Sequence, residues 1–206
     1  NYAFLLQRNV EHRWVNESWT RKEEGIVTRI NLSNYSFIDN KSVAVGFGDL
    51  DSGFSHGAYG YAIVRGESSS GYQGKVLRFP LVEFSSVEVL GIPLHGLRGS
   101  CTDGTYGYTV TSSCDDLSYD PGKGSGKVVR FALDEFASPQ IMDPSGSWDF
   151  SGIFIHGTWG YLLLDDYKKE ILRFDLSTFD PSVEVFEPPG LHSETMQQVW
   201  RSGFIR

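Results

Sequence analysis

The sequence predicts an all-β fold: a β-propeller of four blades, each of four antiparallel strands. Three observations lead there. One motif recurs at a regular spacing, its strands are apolar on both faces, and the two ends of the chain together spell another copy of it.

The repeat is visible by eye. GFSHGAYGYAIVR followed by GKVLRFPLVEFSSVEVL begins at Gly53. GSCTDGTYGYTVT followed by GKVVRFALDEFASPQIM begins at Gly99, and GIFIHGTWGYLLL followed by KEILRFDLSTFDPSVEVF begins at Gly152. The chain start carries NYAFLL and GIVTRINLSNYS, and the end reads RSGFIR, which joined tail to head resembles SGIFIHGTWGYLLL. The repeated arginines Arg29, Arg78, Arg130 and Arg173 are 49, 52 and 43 residues apart, a spacing suited to propeller blades.

Each copy divides into strands a to d. Strand a ends at His56-Gly57, Asp103-Gly104 or His156-Gly157, where glycine supplies the positive φ of a tight hairpin. Strand b is Tyr61–Arg65, Tyr108–Thr111 and Tyr161–Leu164. Strand c is Lys75–Leu81, Lys127–Leu133 and Ile171–Leu176. Strand d is Val87–Leu90, Gln140–Met142 and Val183–Phe186. Val76-Leu77, Val128-Val129 and Ile171-Leu172 are adjacent apolar pairs, so these strands face apolar surroundings on both sides, as sheets stacked between other sheets do. A β-sandwich needs no such repeat. The blades are expected at 1–46 plus 199–206, 47–90, 91–142 and 143–198, with Val199–Arg206 supplying the missing strand of the first and closing the ring.

Composition narrows the functions. The chain of 206 residues is 40% hydrophobic and 14% aromatic, enough for one globular domain. A net charge of −8 argues against nucleic acid and against direct binding to anionic membranes. No apolar run reaches the roughly 18 residues of a membrane span, so membrane association is expected only peripherally and through a partner. Cys101 and Cys114 flank one hairpin, and a bridge would require the following loop to curl back, so free thiols are expected. Asn16, Asn31, Asn34 and Asn40 sit in N-x-S sequons, which the serine-rich composition accounts for without glycosylation. An organelle lumen or the extracellular space is favoured over the cytoplasm.

The pattern YGY…GKVxRFxLxxFxSVEVL resembles β-propeller repeats of the NHL and YVTN type, and is most similar to tandem repeats of algal and protist proteins. The resemblance covers nearly the whole chain and implies the propeller. It implies no catalytic motif, and its algal character leaves open a lumenal accessory subunit of a photosynthetic complex.

A residue found in every copy serves the framework, whereas one found in a single copy is a better candidate for function. The four arginines are therefore read as inter-blade contacts rather than as an axial anion site. His56, Asp103 and His156 are turn residues, not metal ligands. Gly53-Phe54-Ser55-His56-Gly57 matches a hydrolase motif but lacks its strand-to-helix setting. Gly122–Lys127 lacks the spacing of a phosphate loop, and Asp115, Asp116 and Asp120 lack that of a calcium loop.

The singular feature is the insertion Asn9–Glu24, expected as a loop between strands b and c of the first blade. Its His12, Arg13, Trp14, Trp19 and Arg21, together with Trp148 on a d–a linker, are the expected binding residues, because Trp and Arg dominate binding hot spots. The function expected is a non-enzymatic protein-interaction module, an accessory or scaffold subunit, with no cofactor and no metal. A carbohydrate- or ligand-binding propeller is the rival reading, and a propeller hydrolase a weaker one.

Overall fold

The structure, a computed structural model, describes residues 2–15, 18–31, 34, 36–45, 49–66, 73–83, 86–112, 126–144, 148–164 and 170–186. These form fifteen strands in four antiparallel sheets. The first holds β1 (Tyr2–Val15), β2 (Ser18–Asn31) and β3 (Ser36–Val45). The second holds β4 (Leu50–His56), β5 (Tyr59–Val64), β6 (Gly74–Pro80) and β7 (Glu88–Ile92). The third holds β8 (Leu97–Thr102), β9 (Tyr106–Thr111), β10 (Val128–Ala132) and β11 (Gln140–Met142). The fourth holds β12 (Phe150–His156), β13 (Trp159–Leu164), β14 (Ile171–Asp175) and β15 (Glu184–Phe186).

The last three sheets are simple meanders whose strands match the expected a to d within a few residues. Strand a starts earlier than expected in each and carries an irregularity between Leu50 and Ser52, Arg98 and Ser100, and Phe150 and Gly152. The expected closing strand, Val199–Arg206, lies outside the described residues.

The a–b turns differ from the expectation in one respect. His56 pairs with Tyr59 and His156 with Trp159, so the central turn residues are Gly57-Ala58 and Gly157-Thr158. Gly57 (φ 57°), Gly104 (φ 93°) and Gly157 (φ 60°) thus sit first in the turn, the II′ arrangement rather than I′. His56 and His156 are the last residues of their strands, Asp103 follows Thr102 at the end of β8, and none of the three has a positive φ.

The aromatic–glycine signature has a packing cause. Gly60 lies directly across from Phe79, Gly107 from Phe131 and Gly160 from Phe174. The phenyl ring lies against the glycine, so a Cβ at Gly60 or Gly160 would fall 2.5 Å from ring carbons. The repeats YGY and RF are therefore two halves of one contact.

The sheets stack face to face. On each of the first three, the face that carries the repeat arginine packs against the opposite face of the next sheet. Val27 and Leu6 of the first meet Ala62, Val64, Leu77 and Phe79 of the second. Tyr61, Ile63 and Val76 of the second meet Val129 and Phe131 of the third. Tyr108, Val110 and Val128 of the third meet Leu162, Leu172 and Phe174 of the fourth. The innermost strands approach closely too. A Cβ on Gly99 (φ 49°) would lie 2.6 Å from the Gly152 Cα, and the Gly99 amide donates to the Asp51 carboxylate at 3.0 Å.

The arginines lock this stack. Arg29 donates to the Leu81 carbonyl at 3.1 Å and the Val82 carbonyl at 2.8 Å. Arg78 donates to the Leu133 carbonyl at 3.0 Å, and Arg130 to the Leu176 carbonyl at 3.1 Å. Each acceptor belongs to the following sheet. Arg78 also pairs with Glu88 at 2.6 Å, and its guanidinium lies over the Tyr59 and Phe136 rings at 5.0 and 4.5 Å. Arg130 lies between Tyr106 and Phe179 at 4.8 and 4.2 Å. One side chain thus grips its own sheet and its neighbour.

Two outcomes follow. Arg130→Ala is expected to lower unfolding free energy by about 2–3 kcal/mol in urea titration, and Arg130→Lys to recover less than half of it, since an ammonium cannot span both contacts. Gly160→Ala is expected to cost about 1–3 kcal/mol by the same measurement, with Phe174→Leu in the same chain recovering part of it.

Candidate functional site

The insertion at Asn9–Glu24 is not a loop. Strands β1 and β2 pair continuously from Tyr2↔Asn31 to Val15↔Ser18, and β3 reaches only as far as Val45↔Glu24. Beyond Asn9↔Glu24 the hairpin runs on for six more pairs with no third strand from β3. At about 3.4 Å per residue this two-stranded ribbon extends about 20 Å. The sequence carried the signal: between Val10 and Arg21 there is no Gly or Pro, and Val, Thr and Trp recur around Asn16-Glu17, the two residues that link the strands.

The register sorts the expected binding residues. Trp14 lies directly opposite Trp19, and His12 opposite Arg21, two residues further from the linking pair. Residues two apart on a strand share a face, so these four occupy one face of the ribbon. Arg13, opposite Thr20, falls on the other face with the oppositely charged pair Glu11↔Lys22. Aromatic cross-strand pairs and opposite charges each stabilise such pairing by roughly 0.2–1 kcal/mol, which matters for a ribbon of two strands.

Trp148 lies elsewhere. It is half-buried against the core between the third and fourth sheets, and its carbonyl accepts the Gly126 amide at 2.8 Å. A Cβ on Gly126 would lie 2.8 Å from that oxygen, so the glycine permits the approach.

The framework residues take the roles their repetition implies. Asp103 holds its turn: its Oδ1 accepts the Thr105 and Tyr106 amides at 2.8 and 2.7 Å, and its Oδ2 accepts the Tyr108 hydroxyl at 2.8 Å. Burial, and then this bond, push the Tyr108 phenol well above its ordinary range. Among the described residues, no three His, Cys, Asp or Glu side chains gather as a metal site. Ser55 stands inside β4, with no helix after it, so the hydrolase motif has no elbow. Arg78, Arg130 and Arg173 lie on the third strand of their sheets and Arg29 on the second of its sheet, none of them on the innermost strands. The Lys123 and Asp115–Asp120 segment lies outside the described residues.

Two surface hollows flank the second sheet. One of about 230 Å³ opens between the first and second sheets at Leu6, Phe54 and Phe79, and one of about 430 Å³ lies between the second and third at His56, Tyr59, Arg78 and Asp134. Arg78, on the wall of the larger hollow, is already committed to Glu88 and Leu133.

No protein-family profile matches this chain, and no curated protein sequence matches it. Solved structures do. Kuenenia stuttgartiensis hydrazine synthase superimposes with a TM-score of 0.58 at 13% identity, over 80% of this chain and 45% of that one. The Neurospora crassa Pan2 WD40 domain gives 0.54 at 11%, over 82% of this chain and 50% of that one. The apocarotenoid oxygenase of Synechocystis gives 0.53 at 8%, over 89% and 46%. The fold is propeller-like. At these identities the likeness shows the fold alone, and it includes both a WD40 domain and enzymes. The chain spans half, or less, of the length of these structures.

Cys101 is a free thiol packed against the core of the third and fourth sheets. Burial, with a smaller contribution from Asp103, raises its pKa from 9.0 to about 12. Only the thiolate alkylates. In a Cys114→Ser background, native protein is therefore expected to resist iodoacetamide at pH 8 and to react within minutes in denaturant. Because the folded state holds the protonated thiol, its contribution to stability is full below pH 9 and is lost as pH rises from 9 toward 12.

Proposed function

We propose that this chain is a non-enzymatic protein-interaction module, an accessory or scaffold subunit, whose contact element is the ribbon formed by the ends of β1 and β2. One observation carries the reading: the register sets Trp14 against Trp19, and His12 against Arg21, on one face of a hairpin that continues past its sheet. Trp and Arg are the side chains most often found at interface hot spots, and a propeller-like stack of sheets gives such a ribbon a rigid base.

The framework supports the same reading. The repeat arginines, the turn carboxylate and the aromatic–glycine contacts are used in holding turns and sheets together. The partner implied is a protein surface that accepts a pair of indoles beside a guanidinium, with carboxylates or backbone carbonyls to receive Arg21 and His12.

The test is affinity purification from the native source with quantitative mass spectrometry, comparing the natural chain with Trp14→Ala/Trp19→Ala. The double variant is expected to lose the co-purifying partner at least ~100-fold, with circular dichroism and the urea midpoint measured alongside to separate loss of contact from loss of fold. Equal recovery of the partner by both chains would remove the ribbon as the contact.

A further inference from the structure

The innermost strands of the second and third sheets meet differently from those of the third and fourth. At the third–fourth junction the contact is made by small and apolar groups. A Cβ on Gly99 would lie 2.6 Å from the Gly152 Cα, and Ile153, the next residue of β12, is 6% exposed and packs into the apolar cluster there. At the second–third junction the corresponding positions carry hydroxyls. Ser52 precedes Gly53, the partner of Ala62, as Gly99 precedes Ser100, the partner of Thr109. Ser100 in turn stands where Ile153, the partner of Leu162, stands in the fourth sheet.

Both hydroxyls belong to the same junction. Ile63, the cross-strand partner of Ser52, packs with Leu97, Val129 and Phe131 of the third sheet. Directly paired residues share a face, so Ser52 stands on the face of the second sheet that meets the third. On the third sheet Tyr108 and Val110 pack against the fourth. Thr109 between them, with its partner Ser100, therefore lies on the face that meets the second. The Asp51 carboxylate fixes the level of the two strands. It accepts the Gly99 amide at 3.0 Å across the junction, one residue before each serine.

Ser52 Oγ and Ser100 Oγ are both buried, and among the described residues neither has a hydrogen-bond partner. Thr109, fully buried beside Ser100, donates its hydroxyl to the Arg98 carbonyl at 3.1 Å, which leaves its oxygen able to accept. A buried hydroxyl without a partner forfeits the bonds it made to water in the unfolded chain. Such groups in folded proteins are satisfied by other protein atoms or by ordered water. Two of them on facing strands, at one level of one junction and with a third oxygen beside them, supply the roughly two to four polar partners that an internal water needs.

We propose that the second–third junction is a hydration site, in which one ordered water is bound between Ser52 and Ser100 by both hydroxyls, with Thr109 Oγ1 as a further acceptor. The water does at this junction what Ile153 and the Gly99–Gly152 contact do at the next. It joins β4 to β8 at the inner edge of their sheets, beside the bond from Gly99 to Asp51.

The test is a high-resolution crystal structure of the natural chain and of Ser52→Ala/Ser100→Ala, together with a double-mutant cycle in urea. The natural chain is expected to show one solvent peak within hydrogen-bonding distance of both Oγ atoms, and the double variant none there. Either single Ala variant leaves the shared water short of a bond. The double variant is therefore expected to have an unfolding constant within ~3-fold of either single one, rather than the product of the two effects. No peak at the site, or serine hydroxyls bonded to protein carbonyls instead, would overturn the proposal. Independent, multiplying effects of the two Ala changes would overturn it in favour of separately solvated hydroxyls. A peak with an anomalous signal after soaking in a rubidium salt would overturn it in favour of a monovalent cation.

Discussion

A guanidinium that leaves its own sheet to bond a carbonyl of the next is the constraint around which this molecule is organised. Arg29, Arg78 and Arg130 each cross one junction, and for Arg78 and Arg130 an aromatic ring on either side holds the group in place. Apolar faces alone would stack in many offsets, since dispersion and burial are not directional. A planar cation with a fixed acceptor permits far fewer. The other repeated features follow from it: the leucine whose carbonyl accepts, the aromatic three residues later, and the Tyr or Trp on strand b that forms the floor.

The second constraint is thickness. Sheets stacked on both sides need short side chains wherever a large one crosses from the opposite strand. Phe79, Phe131 and Phe174 each lie over a glycine of the neighbouring strand. Gly99 and Gly152 let the inner strands of the third and fourth sheets touch. Glycine therefore recurs in the strands for space, and in the turns, at Gly57, Gly104 and Gly157, for positive φ. The two needs have different physical origins and give the same letter in the sequence.

Against this framework the ribbon stands out because the framework does not require it. The sheet of β1, β2 and β3 is complete as a stacking unit by Asn9↔Glu24, and everything past that pair makes no described contact with β3. The proposed contact residues lie on this stretch, with Trp14 paired in register with Trp19 and His12 with Arg21. Trp148 shows the contrast: it is the same kind of residue, but it is half-buried at a junction and its carbonyl takes part in the local backbone bonding.

Much of the architecture could be read from the letters. The repeat marked the four-stranded antiparallel sheets, the apolar pairs their two-sided burial, and the glycines the turns, because each is a local demand repeated from copy to copy. The role of the arginines was readable in kind, since a charge that recurs in a buried setting must be paired. Their acceptors were not, because a backbone carbonyl leaves no mark in the sequence. The turn register was misplaced by one residue for a similar reason: His-Gly and Gly-Ala are both plausible centres until the pairing of His56 with Tyr59 chooses. The insertion was taken for a loop although its alternation was there to see, and only cross-strand register decided that Trp14 faces Trp19 while Arg13 falls on the far side. The sequence by itself determined the units and the chemistry each repeats. The tertiary structure alone decided which face meets which, because that depends on contacts between residues about fifty positions apart that no local pattern encodes.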